Sequence, residues 1–218
     1  MKTPRAFPVA SGVTTPRALP IASGVTPPRT LLIACGALAR ELKAVIAANG
    51  LPHIDIACLP ATLHNRPERI APAVRAAIRA GRATHGRILV LYGDCGTGGA
   101  LDGVLAEEGV DRIAGPHCYA FYAGEAAFDA LMEEELGSFF LTDYLARHFD
   151  RLVWRGLGLD RHPELRPTVF GHYRRVVHLV QQPDPAVSAR ARDAAARLGL
   201  PLVVRETGLG GLARVLAA

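Results

Sequence analysis

Long hydrophobic runs are missing from this chain. No apolar stretch approaches the roughly 20 residues that span a bilayer, and Pro4, Pro8, Pro16 and Pro20 interrupt the start where a signal peptide would need its apolar region. A soluble, cytoplasmic protein with no membrane partner is the expectation. Cysteine is sparse as well: four residues, with no CxxC pair. That density excludes a disulfide-stapled scaffold, and in a reducing compartment it points to free thiols or metal ligands. Aromatics make up only 6% of the chain, and none interleave with a dense basic block. The formal charge of +5 and the pI near 9.3 come from arginines dispersed through alanine-rich stretches. Arginine is a good helix former that pairs with glutamate on solvated faces, so no nucleic-acid partner is expected. Nucleotide fingerprints are also absent, because GDCGTGG fits neither GxGxxG nor the Walker pattern.

What is present is enough apolar material for one well-buried domain: 218 residues, half of them hydrophobic and 21% charged. The amino terminus carries a tandem repeat. TPRAFPVASG begins at Thr3, TPRALPIASG at Thr15 and PPRTLLIACG at Pro27. In the first two copies a proline (Pro8, Pro20) interrupts the apolar run and a serine (Ser11, Ser23) stands where the third has Cys35. Proline cannot donate to a ladder, so neither copy reads as a central strand. Residues 1–29 therefore read as a flexible tail, and 30–218 as a single α/β domain.

From Thr30 short apolar runs alternate with amphipathic stretches. Strands are expected at 30–35, 53–58, 87–92, within VDRIAGPHC, at 175–180 and at 201–205. Helices are expected at 37–49, from about 67 to 83, around 100–108 and at 185–198, with a last one after ETGLGGL. The segment 119–159 reads as mainly helical, broken near Gly137, with Phe140, Leu141, Tyr144, Leu145, Phe149, Leu152 and Val153 at helical spacing. Such alternation is the pattern of βαβ units, and predicts a three-layer α/β sandwich with a mostly parallel, Rossmann-like sheet.

Parallel strands gather their carboxyl ends along one edge. Cys35 in LLIACGA, Cys95 in LYGDCGTGG and Cys118 in GPHCYAF each fall where a strand is expected to give way. Three thiolates are a soft donor set for zinc or an iron–sulfur cluster, leaving a coordination position for substrate, water or a further protein ligand. The competing reading is that buried cysteines simply fill space, and Cys58, with no glycine or polar neighbour, fits that better. His117 precedes Cys118 and is a candidate ligand or acid–base group. Asp94 is a candidate base, or a turn former. Gly96, Thr97 and Gly98 expose backbone N–H groups suited to an anion. In LHNRPER, His64 is a candidate catalytic group, while Asn65 and Arg66 are suited to a small anionic substrate; helix capping explains Asn65 and Pro67 equally well. Polar groups of EEELGSFFLTDY (Glu135, Ser138, Thr142, Asp143) and GLGLDRHPEL (Asp160, Arg161, His162) are secondary candidates.

ACGALARE, LPATLHNRPERI, LYGDCGTGGAL, GPHCYAFYAG, GSFFLTDYLARHFD and GLGLDRHPEL together resemble the bacterial branch of an uncharacterised prokaryotic family of unknown function, number sixteen thirty-eight. The resemblance runs from about Thr30 to the end. It matches the family's cysteines to Cys35, Cys95 and Cys118 and leaves Cys58 outside the pattern; Gly137-Ser138 stands where the family commonly shows Gly-Thr. Members are often encoded near corrinoid-dependent methyl-transfer systems, which implies a place in one-carbon metabolism. No DxHxxG corrinoid-ligand motif is present, so the chain is not expected to carry the corrinoid itself. The expectation is a cysteine-ligated metalloprotein, zinc or iron–sulfur, acting as a metal-dependent transferase or lyase. The alternatives are a non-catalytic partner or metal-delivery chaperone of a corrinoid methyltransferase, and a metal-free anion-binding enzyme. Self-association as a homo-oligomer is left open. Because the core begins at Thr30, a chain lacking residues 1–27 should melt at the same temperature as the full chain in a calorimetric scan.

Overall fold

The alternation of strand and helix orders the computed structural model, which describes residues 28–112, 118–134 and 137–217. β1 (Thr30–Cys35), β2 (Ile54–Leu59), β3 (Arg87–Leu91) and the two-residue β4 (Asp111–Arg112) form a wholly parallel sheet in the order β2-β1-β3-β4. Ala34 lies opposite Cys58 on one side and Leu91 on the other. β1 is central and buried at every position, as a strand covered on both faces must be. Around this sheet pack α1 (Ala39–Ala48), α2 (Ile70–Gly81) and α3 (Ala100–Glu108). Ile70, Val74 and Ile78 recur every four residues along α2 and are buried, while Arg79 and Arg82 reach Glu108 at the end of α3. Such exposed pairs add little stability. The apolar stripe docks the helix.

The second half repeats the scheme. After α4 (Cys118–Ala123) and α5 (Glu125–Glu134) come β5 (Ser138–Thr142), α6 (Asp143–Phe149), α7 (Arg166–Phe170), β6 (Arg175–Val180), α8 (Pro185–Leu198), β7 (Leu202–Glu206) and α9 (Gly210–Ala217). β5, β6 and β7 form a second parallel sheet in that order. Successive residues point to opposite faces: Leu141 and Val176 join the core under α6 and α8, while Phe140, Val177 and Leu179 pack with Leu131 of α5. Asp184 starts α8 by accepting the Ala186 N–H at 2.9 Å and the Val187 N–H at 3.3 Å, and Gly199 ends it at φ 72°. The α9 helix returns to the first sheet, where Leu212 and Leu216 join its core. A Cβ at Gly211 would collide with the carbonyl oxygens of Phe121 and Tyr122, so only glycine permits this approach to α4.

The fold is the α/β, Rossmann-like parallel arrangement expected, with three differences. The strands sort into two sheets rather than one, because a hydrophobic run reports burial and not the strand it pairs with. Phe140 and Leu141 are strand residues, not helical ones: Gly137 at φ 77° precedes a run, SFFLT, whose aromatics suit a pleated surface. Cys118 is the first residue of α4 rather than part of the expected fourth strand, whose described part is Asp111–Arg112.

One polar network locks the second sheet. Asp143 is 1% exposed. Its Oδ2 accepts the N–H groups of Gln181 (3.1 Å) and Gln182 (2.9 Å), and its Oδ1 accepts His178 Nε2–H at 3.0 Å. Its own N–H donates to Gln181 Oε1 at 2.9 Å. Every lone-pair direction used here ties the carboxyl end of β5 to that of β6. Asp143→Ala leaves the buried imidazole and two amides without an acceptor, so urea unfolding should show a loss of about 3–5 kcal/mol.

Candidate functional site

In the first sheet the chain leaves β1 toward β2 on one side and later inserts β3 on the other. β1 and β3 therefore flank a topological switch point, where parallel α/β sheets open a crevice beyond their carboxyl ends. The sequence puts Cys35 at the end of β1, and Tyr92, Asp94 and Cys95 just past β3. The switch point brings them together.

Cys35 is buried, and its Sγ accepts the Ala37 N–H at 3.3 Å, capping the turn that leads into α1. The same sulfur lies 3.9 Å from His64 Nδ1. His64 comes from the first 3-10 turn after β2, Ala61–Asn65, and its Nδ1 is 3.1 Å from the Ala61 carbonyl. A carbonyl only accepts, so Nδ1 carries the proton and Nε2 keeps the ring's basic lone pair. Tyr92 is fully buried, its ring stacked on His64 with centroids 6.2 Å apart, and its hydroxyl is beside the Cys35 thiol. Burial pushes the Cys35 thiol up to about 12; Cys95 nearby adds to the rise, while the Ala37 N–H and the Tyr92 hydroxyl oppose it. Burial likewise raises the Tyr92 phenol, with further contributions from Cys35 and Cys95. The two thiols are thus within electrostatic reach of each other and of the phenol.

The turn after β3 is built by its own aspartate. Asp94 Oδ1 accepts the Thr97 hydroxyl at 2.7 Å and the Gly99 N–H at 3.0 Å, and Oδ2 accepts the Gly98 N–H at 3.3 Å. These donors, the Thr97 hydroxyl first, hold its carboxyl below the usual carboxylate range. The Thr97 N–H is taken by the Asp94 carbonyl at 3.0 Å. Gly98 and Thr97 therefore spend on Asp94 the donors expected for an external anion. The turn aims Cys95 instead, at φ 51°, a left-handed conformation that a residue with a side chain seldom adopts and that recurs at functional sites.

Between the two sheets lies a cavity of about 220 Å³. Ala37, Ala61, His64 and Asn65 line it from the first half, Tyr119 and Tyr122 from α4. Phe139, Thr142, Tyr144, Leu145, Leu152, Val153 and Leu157 line it from the second half. Among the described residues that line it, none carries a guanidinium, ammonium or carboxylate group. Tyr144 is raised by burial, opposed by Arg151 and assisted by Cys35. Cys35 therefore acts across the cleft on the opposite wall. His64 is shared by both features, lining the cavity on one side and meeting Cys35 and Tyr92 on the other.

Of the residues expected to form the site, Cys35, His64 and Cys95 gather at the switch point and Asn65 joins the cavity, its Nδ2 donating to the Leu152 carbonyl at 3.3 Å. Arg66 is exposed and does not line it. Gly96 and Gly98 are exposed on the outer turn, and Cys58 is exposed on the edge strand β2. Thr142 lines the cavity and caps α6, accepting the Leu145 N–H at 3.2 Å. Asp143 stands behind it. Asp160, Arg161 and His162 are exposed elsewhere, His162 3.2 Å from Glu164. His117, Glu135 and the side chain of Cys118 lie outside the described residues. Among the described residues no three His, Cys, Asp or Glu side chains form a group that could hold a metal ion. Sequence reasoning missed Tyr92 and His178. Tyr92 carried a signal, being the first residue past a strand whose turn was already of interest.

Fold and site define a class: a two-sheet parallel α/β protein with a thiol–imidazole–phenol cluster at a switch point, opening onto an aromatic cleft. Comparison with curated proteins gave no match, and comparison with solved structures gave none. A family model matches residues 58–216, so the chain belongs to the family described as protein of unknown function (DUF1638). The matched span holds Cys95, Cys118, His64 and most of the cavity wall; Cys35 lies before it. In chelator-treated protein, iodoacetamide at about pH 8 should modify exposed Cys58 well before Cys35. The Cys35 rate, followed by peptide mass spectrometry, should still climb about tenfold per unit beyond about pH 9, where an ordinary thiol levels off.

Proposed function

We propose that this protein is a metalloenzyme. Its soft-metal centre, zinc or an iron–sulfur cluster, is held by Cys35, Cys95 and Cys118 and serves a small molecule bound in the inter-sheet cavity. The observation that carries this reading is the position of His64, which borders both the cysteine cluster and the cavity. The donor chemistry fits. Two thiols within electrostatic reach of one another are soft ligands, and a buried thiol whose proton is held so tightly is one whose thiolate needs a cation beside it. Cys118, the first residue of α4, and His117 before it in the sequence are the residues that would complete the shell. When bound, such a metal would supply Lewis-acid activation or, as a cluster, electron transfer.

The chain's own groups have separable parts. His64 Nε2, the basic nitrogen, would move a proton at the cavity floor, with Nδ1–H fixed on the Ala61 carbonyl. Tyr92 stacks against the ring and keeps it in that orientation. Tyr119, Tyr122, Phe139 and Leu145 exclude water and favour an apolar or weakly polar body over the anion first expected. A place in corrinoid-linked methyl metabolism is proposed on the family resemblance.

Metal analysis and an absorption spectrum of protein purified without oxygen test the proposal. About one zinc per chain, or visible iron–sulfur bands, is expected in the wild type, with loss in Cys35→Ser and Cys95→Ser while Cys58→Ser keeps the metal. A folded wild-type chain without metal overturns it.

A further inference from the structure

Behind the cavity, at the seam between the two sheets, a carboxylic acid is buried with one oxygen unpartnered. Glu41, in the first turn of α1, is 2% exposed, and its Oε2 meets no hydrogen-bond donor. A buried polar atom without a partner is costly, and far more so if charged. Ala37, one turn earlier in the same helical run, lines the cavity. Facing it is the start of α6, where Thr142, Tyr144 and Leu145 line the opposite wall. Asp143 and Arg147 of that helix act on Glu41 electrostatically, as does Arg40 beside it. Glu41 thus sits between the two helix starts that form opposing sides of the cavity.

Its neighbours are committed elsewhere. Asp143 is filled by His178, Gln181 and Gln182. Arg147 stands 3.8 Å from Asp184, the cap of α8, and Arg40 also acts on Asp184 across the seam. Asp55 of β2, a strand packed on α1, is held by Arg29 and His85. Arg214, the charged residue of α9, lies against Gly124. The guanidinium best placed to answer an ionised Glu41 is Arg147, whose hold on Asp184 is long.

We propose that Glu41 is a proton-operated latch on the cavity. Neutral, it lets α1 and α6 close on each other; once its proton passes to solvent, it draws Arg147 away from Asp184 and moves the α6 wall. Burial already holds the Glu41 carboxyl above its ordinary value, so the change falls above the usual carboxylate range. A raised folded-state value means stability is complete below the unfolded value and declines as pH rises through the folded one. This regulation rests on the cavity being the working site, but its readout needs neither metal nor ligand.

Trp154, the single tryptophan, follows cavity residue Val153 and reports on that wall. In chelator-treated protein its fluorescence should change reversibly with one inflection above the usual carboxylate range, and in Glu41→Gln it should stay flat. Glu41→Gln should melt with the wild type at the acid end and several degrees above it at the alkaline end. A wild-type trace that is flat while helical dichroism is intact, or a variant that titrates like the wild type, overturns the latch. Should the variant fail to fold, amide exchange of wild-type segments 37–48 and 143–149 decides. Exchange faster at the alkaline end, after correction for intrinsic rates, supports it, and unchanged exchange overturns it.

Discussion

Parallel strand pairing is the constraint on which the rest of this molecule depends. A parallel neighbour can be reached only by a crossover, so each strand must be followed by a helix that returns the chain to the starting edge. The carboxyl ends then fall along one line, and every loop that leaves them is free to carry side chains without disturbing the ladders. Cys35, the His64 turn and the Asp94–Cys95 turn are three such exits from one sheet. The β5–α6 junction is the same kind of exit from the other sheet. The cavity is where these two edges meet.

The site is held by two different kinds of force. Its floor is fixed by packing: Tyr92 and Cys35 are buried among aliphatic residues of β1, α1 and α2, and the His64 ring is wedged between the phenol and a carbonyl. Its far wall is fixed by hydrogen bonds, with Asp143 tying β5 to β6 directly behind Thr142 and Tyr144. Removing water from both raises the Cys35 thiol, the Tyr92 phenol and the Glu41 carboxyl together, each for the same reason: the neutral form tolerates burial better than the charged one. A site assembled in this way keeps its protons until a cation, a base or a movement of the wall releases them.

Much of this was legible in the residues. The run TLLIAC read as a buried strand, the Gly-rich turn after ILVLY as the place where Cys95 leaves the sheet, and LHNRPER as a loop between a strand and a proline-started helix. Two readings failed for local reasons. SFFLTDYLARHF carries apolar residues compatible with both periods at its start, so a strand was absorbed into the helix that follows it. The glycines of GDCGTGG suggested free amides, but the aspartate in the same turn takes them first, a competition between neighbours that composition cannot rank. His178 could not have been singled out, because it sits among ordinary strand residues and becomes unusual only through what packs against it.

The sequence by itself determined most of the elements other than β5, their parallel sense, and the strand-end positions of Cys35 and Cys95, because periodicity and turn chemistry are written within a few residues of one another. Only the tertiary structure decided that the strands divide into two sheets, that His64 and Tyr92 meet the Cys35 thiol, that aromatic side chains from both halves enclose one cavity, and that Glu41 is buried at its back. These depend on which surfaces cover which. Burial sets the cost of every charge in the cleft, and burial is a property of the packed chain as a whole.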